Sequence, residues 1–176
     1  TTANTADYLL VIAQTDKNPK KRSEGVSVFF VPKDSEGVTV VPLPKLGMRA
    51  LCSCRITFDE VFVPDELLLG EEGQVWKETT NTLNNERIMN AASCVGMLDG
   101  VLEDALEYMK IRKAFGRTIG EFQALQHYIA DISMWRKQAE LMLYNSAWLQ
   151  SQGLPCAVEA AMTKTVASEY ACQAAD

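Results

Sequence analysis

Apolar positions along this chain recur with two different periods, and the change falls near residue 70. Tyr8 to Gln14 and Val26 to Val31 are short, nearly continuous apolar runs of strand length. Val38 to Val41 forms a third such run, and Arg55 to Phe62 alternates, with Ile56, Phe58 and Val61 apolar between polar neighbours. The charged, proline-bearing stretch Asp16 to Ser23 and the segment Pro32 to Gly37 read as turns. Prolines 32, 42, 44 and 64 stand where strands end, since proline cannot donate to a ladder. Beyond Leu69-Gly70-Glu71-Glu72-Gly73 the period becomes helical. Leu98, Val101, Leu102, Ala105, Leu106 and Met109 make one apolar stripe on a helix expected from near Gln74 to before Gly116. The acidic pair Glu71-Glu72 suits its N-terminus. A second helix is expected from near Glu121 to Gly153, with Phe122, Leu125, Ile129 and Ile132 on its buried face. A third follows Pro155, with alanines at 157, 160, 161, 167 and 171 that permit close helix approach. The expected fold class is α+β: an antiparallel β portion over residues 1–72, then part of an up-down helical bundle over residues 73–176.

Composition narrows the function classes. A chain of 176 residues with 47% hydrophobic and 23% charged residues can bury a sizeable core. The longest apolar runs are too short to span a bilayer. A formal net charge of −6 argues against nucleic acid as a partner, although Lys110, Arg112, Lys113 and Arg117 make a local basic patch. The five cysteines, an odd number scattered through apolar patterns, fit a reducing compartment with buried free thiols. Cys52-Ser53-Cys54 places two side chains on one side of an extended segment. With no second cysteine pair and a single histidine, His127, no metal site is expected. Trp76, Trp135 and Trp148 read as packing residues. The chain begins without Met and stops inside a helical pattern, so it is expected to be an excerpt of a longer protein.

The segment between the first two helices concentrates candidate chemistry. Arg112-Lys113-Ala114-Phe115-Gly116-Arg117, followed by Gly120-Glu121-Phe122-Gln123, brings together a planar cation, an aromatic ring, a glycine and an amide. Such groups suit a large anionic nucleotide held across a helix turn.

Several segments taken in order resemble the acyl-CoA dehydrogenase family of flavoproteins. They are Gly25 to Pro32 with Gly37-Val38, Leu46-Gly47-Met48-Arg49, Ile56 to Pro64, Asn85-Glu86-Arg87, and Tyr108 to Arg117 through Gln123 to Ala130-Asp131-Ile132. Thr1-Thr2-Ala3-Asn4 departs from the family's usual Ile-Thr-Asn approach to the first strand. The resemblance implies the later part of a middle β-domain and most of a C-terminal bundle, here a truncated up-down four-helix bundle. It also implies FAD as cofactor and an acyl-CoA substrate. An external electron-transfer flavoprotein, a homotetramer, and a cytoplasmic location (the mitochondrial matrix in a eukaryote) go with it.

Residue by residue, the resemblance gives Arg112 to the FAD diphosphate of a neighbouring subunit. The other reading of Arg112 is a solvated cation at a helix C-terminus. Phe115 would lie beside the adenine, or be a core residue pinning the inter-helix turn. Gln123 would hydrogen-bond the adenosine part, or simply open a helix. Glu86 stands where a subset of the family carries the base that takes the substrate α-proton. Other members carry that base in a region C-terminal to this segment, which would leave Glu86 an ordinary helix residue. Asn84 and Arg87 share a helix face and would contact the CoA part, or form a surface pair. The same fold also serves acyl-CoA oxidases, flavin monooxygenases, DNA-associated members and non-catalytic assemblies, so those functions stay open at this point.

Overall fold

The computed structural model describes residues 1–21 and 24–176, without the side chains of residues 77 and 78. Arg22 and Ser23, which close the first expected turn, lie outside the described residues. The chain divides into two units, residues 1–79 and 80–176.

The first unit is antiparallel β. Strands β1 (Tyr8–Gln14), β2 (Val26–Pro32) and β5 (Leu68–Leu69) form one sheet in the order β1-β2-β5. Strands β3 (Val38–Pro42) and β4 (Cys54–Phe58) form a second. In the β1–β2 ladder Leu9 faces Val31 and Val11 faces Phe29. This period-2 face packs with Ala3, Val38, Val40, Ile56, Val61 and Val63 as the unit's main core. On the opposite face Tyr8, Leu10, Ile12 and Phe30 are exposed, while Val26 and Val28 are buried with Val75 in a smaller cluster. Ser27 is fully buried, and its hydroxyl bonds the Thr15 hydroxyl and accepts from the Gly73 backbone N–H, each at 2.8 Å.

One strand is shorter than its alternation suggests. β4 ends at Phe58, not Phe62. Asp59 N–H donates back to the Gly37 carbonyl, and Glu60 takes a left-handed φ of 50°, which turns the chain out of the ladder. Ile56 and Val61 nevertheless reach the core, while Phe58 is exposed, so the alternation reported burial only in part and pairing incorrectly.

The second unit contains most of α1 (Trp76–Ile111), then α2 (Gln123–Ser151) and α3 (Ala157–Ala175). α1 starts two residues later than Gln74, after a turn in which Gln74 N–H donates to the Glu71 carbonyl. Cross-links fix the directions. Arg136 pairs with Asp99 at 2.6 Å, and Gln150 donates to Asn85 near the other end of the same helices, so α1 and α2 are antiparallel. Tyr170 donates to Gln138 at 2.8 Å, and the buried Ser146 and Thr163 hydroxyls meet at 2.7 Å, so α2 and α3 are antiparallel too. The core between them is Ala91, Val95, Leu98, Ile132, Ala139, Ala167 and Ala171. Trp135 packs against it and stacks on Tyr170 with ring centroids 5.6 Å apart. Trp148, expected to pack, is half exposed. Among the described residues no helix is long and apolar enough to cross a membrane.

Candidate functional site

Two groups of candidate residues lie on the second unit, one at each end of its part of α1. At the C-terminal end, Arg112 N–H donates to the Tyr108 carbonyl at 2.9 Å, while the Arg112 carbonyl accepts from Ile119 N–H at 2.8 Å. Between these bonds the chain folds into a hairpin that the sequence pattern does not predict. β6 (Lys113–Ala114) pairs with β7 (Arg117–Thr118), Lys113 opposite Thr118 and Ala114 opposite Arg117. Phe115 and Gly116 form the two-residue tip, with φ of 53° and 81°. Left-handed conformations at both central positions mark a type I′ turn, which normally takes Asn-Gly.

Glycine adopts that conformation without a steric penalty. For a residue with a Cβ it costs about 1–2 kcal/mol. Phe115 bears that cost with its ring 96% exposed, so the ring gains almost no burial in return. The alternative of a core phenylalanine is therefore incorrect. The ring meets Phe122 edge-on, centroids 6.2 Å apart at 85°. The Arg117 guanidinium lies 4.2 Å from the Phe122 centroid.

The hairpin is braced from behind. Thr118 and Glu121 form a capping box over the 3-10 turn Ile119–Glu121, through bonds of 3.0 and 2.8 Å to one carboxylate oxygen. Those two bonds, the hydroxyl one foremost, hold the Glu121 carboxyl below the usual carboxylate range. A Cβ on Gly120 would sit 3.0 Å from the Met109 carbonyl oxygen, so the turn lies against the last turns of α1 because residue 120 has no side chain. Gln126 donates to the Gly120 carbonyl at 2.8 Å. The Thr-x-x-Glu spacing was a legible signal for this brace. Arg112 and Gln123 both stand exposed beside it. Among the described residues the Arg112 guanidinium forms no ion pair.

The second group lies near the start of the unit. Asn84 is buried, and its Oδ1 accepts from Arg87 Nη1 at 2.7 Å. A guanidinium donates here to an amide with little access to water, so the Arg87 head is held in one direction. The burial of Asn84 excludes a surface pair. Glu86 is exposed, and its backbone carbonyl accepts from Asn90 at 3.0 Å. The described residues build no apolar enclosure around its carboxylate.

These groups do not meet. Arg87 and Arg112 are roughly 25 residues apart on one helix, about 38 Å at 1.5 Å per residue. One copy of the chain thus holds the two candidate groups apart. Tyr108 and His127 are exposed and join neither. Among the described residues, no group of three or more His, Cys, Asp or Glu could hold a metal ion.

Comparison with known proteins gives a consistent result. Residues 73–176 match the family described as acyl-CoA dehydrogenase, C-terminal domain, and residues 1–61 match acyl-CoA dehydrogenase, middle domain. The chain is 34% identical, over 97% of its length, to the short-chain specific acyl-CoA dehydrogenase of Clostridium acetobutylicum, covering 45% of that protein. The butyryl-CoA dehydrogenase of Megasphaera elsdenii superposes with a TM-score of 0.87 at 34% identity, covering 97% of this chain and 44% of that one. The FAD complex of PigA superposes with a TM-score of 0.90 at 34% identity, covering 98% and 45%. The chain thus spans less than half the length of the relatives it matches.

Proposed function

The chain belongs to the acyl-CoA dehydrogenase family, and on that premise we propose that it forms part of an FAD-dependent enzyme that dehydrogenates an acyl-CoA thioester between its α and β carbons. Residues 1–72 are then part of the middle β-domain and residues 73–176 part of the helical bundle.

The hairpin end of α1 suits a nucleotide. Arg112 supplies a fixed positive charge for a diphosphate. Phe115 supplies a ring beside the adenine, held outward by its turn. Gln123, at the first position of α2, supplies an amide to the adenosine part. FAD, when bound, accepts the hydride that leaves the substrate β-carbon. At the other end, Arg87, oriented by Asn84, binds the anionic CoA portion. Glu86 takes the α-proton, and the product is the α,β-unsaturated thioester.

The observation that carries this reading is the roughly 38 Å between the two groups on one helix. A cofactor held by its diphosphate at the hairpin and a proton taken at Glu86 of the same copy are about that far apart, which favours a cofactor shared between copies. The Arg112 group therefore serves the cofactor whose substrate sits on a neighbouring copy, and the enzyme is an oligomer, a homotetramer by analogy with the family. An electron-transfer flavoprotein is the proposed acceptor of the electrons.

Anaerobic mixing of the complete protein with a panel of acyl-CoAs tests the proposal. Bleaching of the flavin in wild type, abolished in Glu86→Gln with FAD retained, is the expected result. Bleaching in both would place the base elsewhere in the protein. No bleaching with any acyl-CoA would overturn the dehydrogenase assignment. Loss of FAD from Arg112→Ala, with rescue by mixing in a subunit that keeps Arg112, would test the shared site.

A further inference from the structure

The thiols of Cys52 and Cys54 have no part in the chemistry proposed above, and their arrangement stands independently of it. Their Sγ atoms lie 3.7 Å apart, and neither is bridged. The backbone imposes this approach. Cys54 opens β4 opposite Pro42 of β3. The Cys52 carbonyl accepts from Thr2 N–H at 2.6 Å, and the Ser53 carbonyl accepts from Leu43 N–H at 2.8 Å. An extended segment pinned on both sides turns residues 52 and 54 the same way.

The two sulfurs occupy different surroundings. Cys54 packs against the core around Ala3, Leu9 and Val31, with its thiol 3.7 Å from Asn4 Oδ1. Cys52 lines an open cleft of about 360 Å³ with Leu43, Pro44, Lys45 and Arg49. Two cations at one small cleft stand out on a chain of net charge −6. Lys45 is fixed there by its bonds to the Met48 and Leu51 carbonyls at 3.2 and 2.7 Å. The hydrogen bond with Cys54 foremost, then burial and the charge of Cys54, hold the Cys52 thiol above its ordinary range, with Lys45 and the N-terminal amine opposing them more weakly.

We infer that Cys52 and Cys54 form a dithiol site for small anionic disulfides, with Cys52 as the attacking thiol and Cys54 as the resolving one. The Cys52 thiolate attacks one sulfur of R–S–S–R. The S–S bond breaks, one thiolate leaves and takes up a proton, and Cys52 carries the mixed disulfide. The Cys54 thiolate then attacks the Cys52 sulfur, expels the second thiol and closes a Cys52–Cys54 bridge. The protein loses two hydrogens, the disulfide becomes two thiols, and no other oxidant takes part. Lys45 and Arg49 receive the carboxylates of the incoming molecule.

Incubation of the protein with oxidised glutathione, quenching in acid and tryptic mapping tests this directly. Cleavage after Arg49 and Arg55 isolates both thiols in the peptide 50–55, which holds no other cysteine. Wild type is expected to yield this peptide lighter by two hydrogens. Cys54→Ser is expected to stop with glutathione on Cys52, and Cys52→Ser to leave Cys54 largely unmodified. Lys45→Gln with Arg49→Gln, read in the longer tryptic peptide 34–55, should slow the reaction about tenfold at low ionic strength, and should not slow it with the cationic disulfide cystamine. An unmodified peptide 50–55 in wild type, while the exposed Cys172 is glutathionylated, would overturn the proposal without any variant. Equal slowing by glutathione disulfide and cystamine would remove Lys45 and Arg49 from it.

Discussion

Replacing Phe115 by Asn is expected to stabilise the chain while weakening its hold on a flavin nucleotide. The tip of the hairpin holds Phe115 at φ 53°, where a residue with a Cβ costs about 1–2 kcal/mol. Asn tolerates this conformation far better, so about 1 kcal/mol is recovered. Little packing is sacrificed in exchange. The ring is 96% exposed and touches Phe122 only edge-on at 6.2 Å, which is worth about 0.5 kcal/mol, the low end for an aromatic pair. The net is about 0.5 kcal/mol of added stability, or about 0.25 M in the urea midpoint with an unchanged slope. Phe115→Ala removes the same ring without supplying the turn preference, so it should fall about 0.5 kcal/mol below wild type. The difference between the two variants isolates the backbone effect. In the complete protein, loss of a ring stacked on the adenine is worth about 1–3 kcal/mol, a rise in the FAD Kd of about five- to 150-fold. Destabilisation of the Asn variant beyond about 1 kcal/mol would refute the strain argument. An unchanged FAD affinity would remove the ring from the cofactor.

Other consequences are equally open to measurement. Asn84→Ala removes the acceptor that holds Arg87 at 2.7 Å. With Arg87 half-buried the cost is about 1 kcal/mol in urea denaturation, and the KM for acyl-CoA should rise with little change in kcat. Ser146→Ala and Thr163→Val each break the buried hydroxyl pair and should each cost about 1–2 kcal/mol. The double variant should cost less than their sum by at least about 0.5 kcal/mol, and simple additivity would refute the pairing. The Glu121 carboxyl is depressed in the folded chain by Thr118, so its contribution is complete above the unfolded pKa and is lost as pH falls through the folded one. Glu121→Gln resembles the protonated carboxyl, so it should be less stable than wild type near pH 7 and approach wild type as the pH falls. Its decline below about pH 5 should be shallower, and an identical acid limb would refute the assignment.

Long periodic elements were legible in the sequence, because many side chains repeat the same signal. Leu98, Val101 and Leu102 of the expected stripe and alanines 160, 167 and 171 fall on the packed faces of α1 and α3, whereas Leu106, Ala157 and Ala161 are exposed. Short elements were not legible. β5 and the strands of the hairpin are two residues each, below any detectable period. A Phe-Gly tip carries no hairpin signal where Asn-Gly would have. Asn84 was read by its polarity, although its partner Arg87 is what makes burial tolerable. Glu60 turns β4 with no glycine to announce it. The candidate site residues were visible as residue types in motif order. Their separation into two groups followed only from the unbroken length of α1, where a fixed rise per residue converts sequence distance into ångströms.

The bond between Ser27 and the Gly73 amide joins residues 46 apart, and β2 finds its second neighbour only at Leu68–Leu69. Synthesis from the N-terminus therefore delivers β2 well before the residues that close its far edge. Elongation at about 5–20 residues per second makes that interval roughly 2–8 s. Throughout it, the apolar run Val26 to Val31 presents unpaired amides and carbonyls on one side, a template for another nascent chain. Slower translation lengthens the exposure, whereas cooling also weakens hydrophobic association. The yield of soluble protein should therefore depend on holdase chaperones acting before residue 73 emerges, and much less on events in the helical unit, whose antiparallel neighbours follow one another directly in the chain.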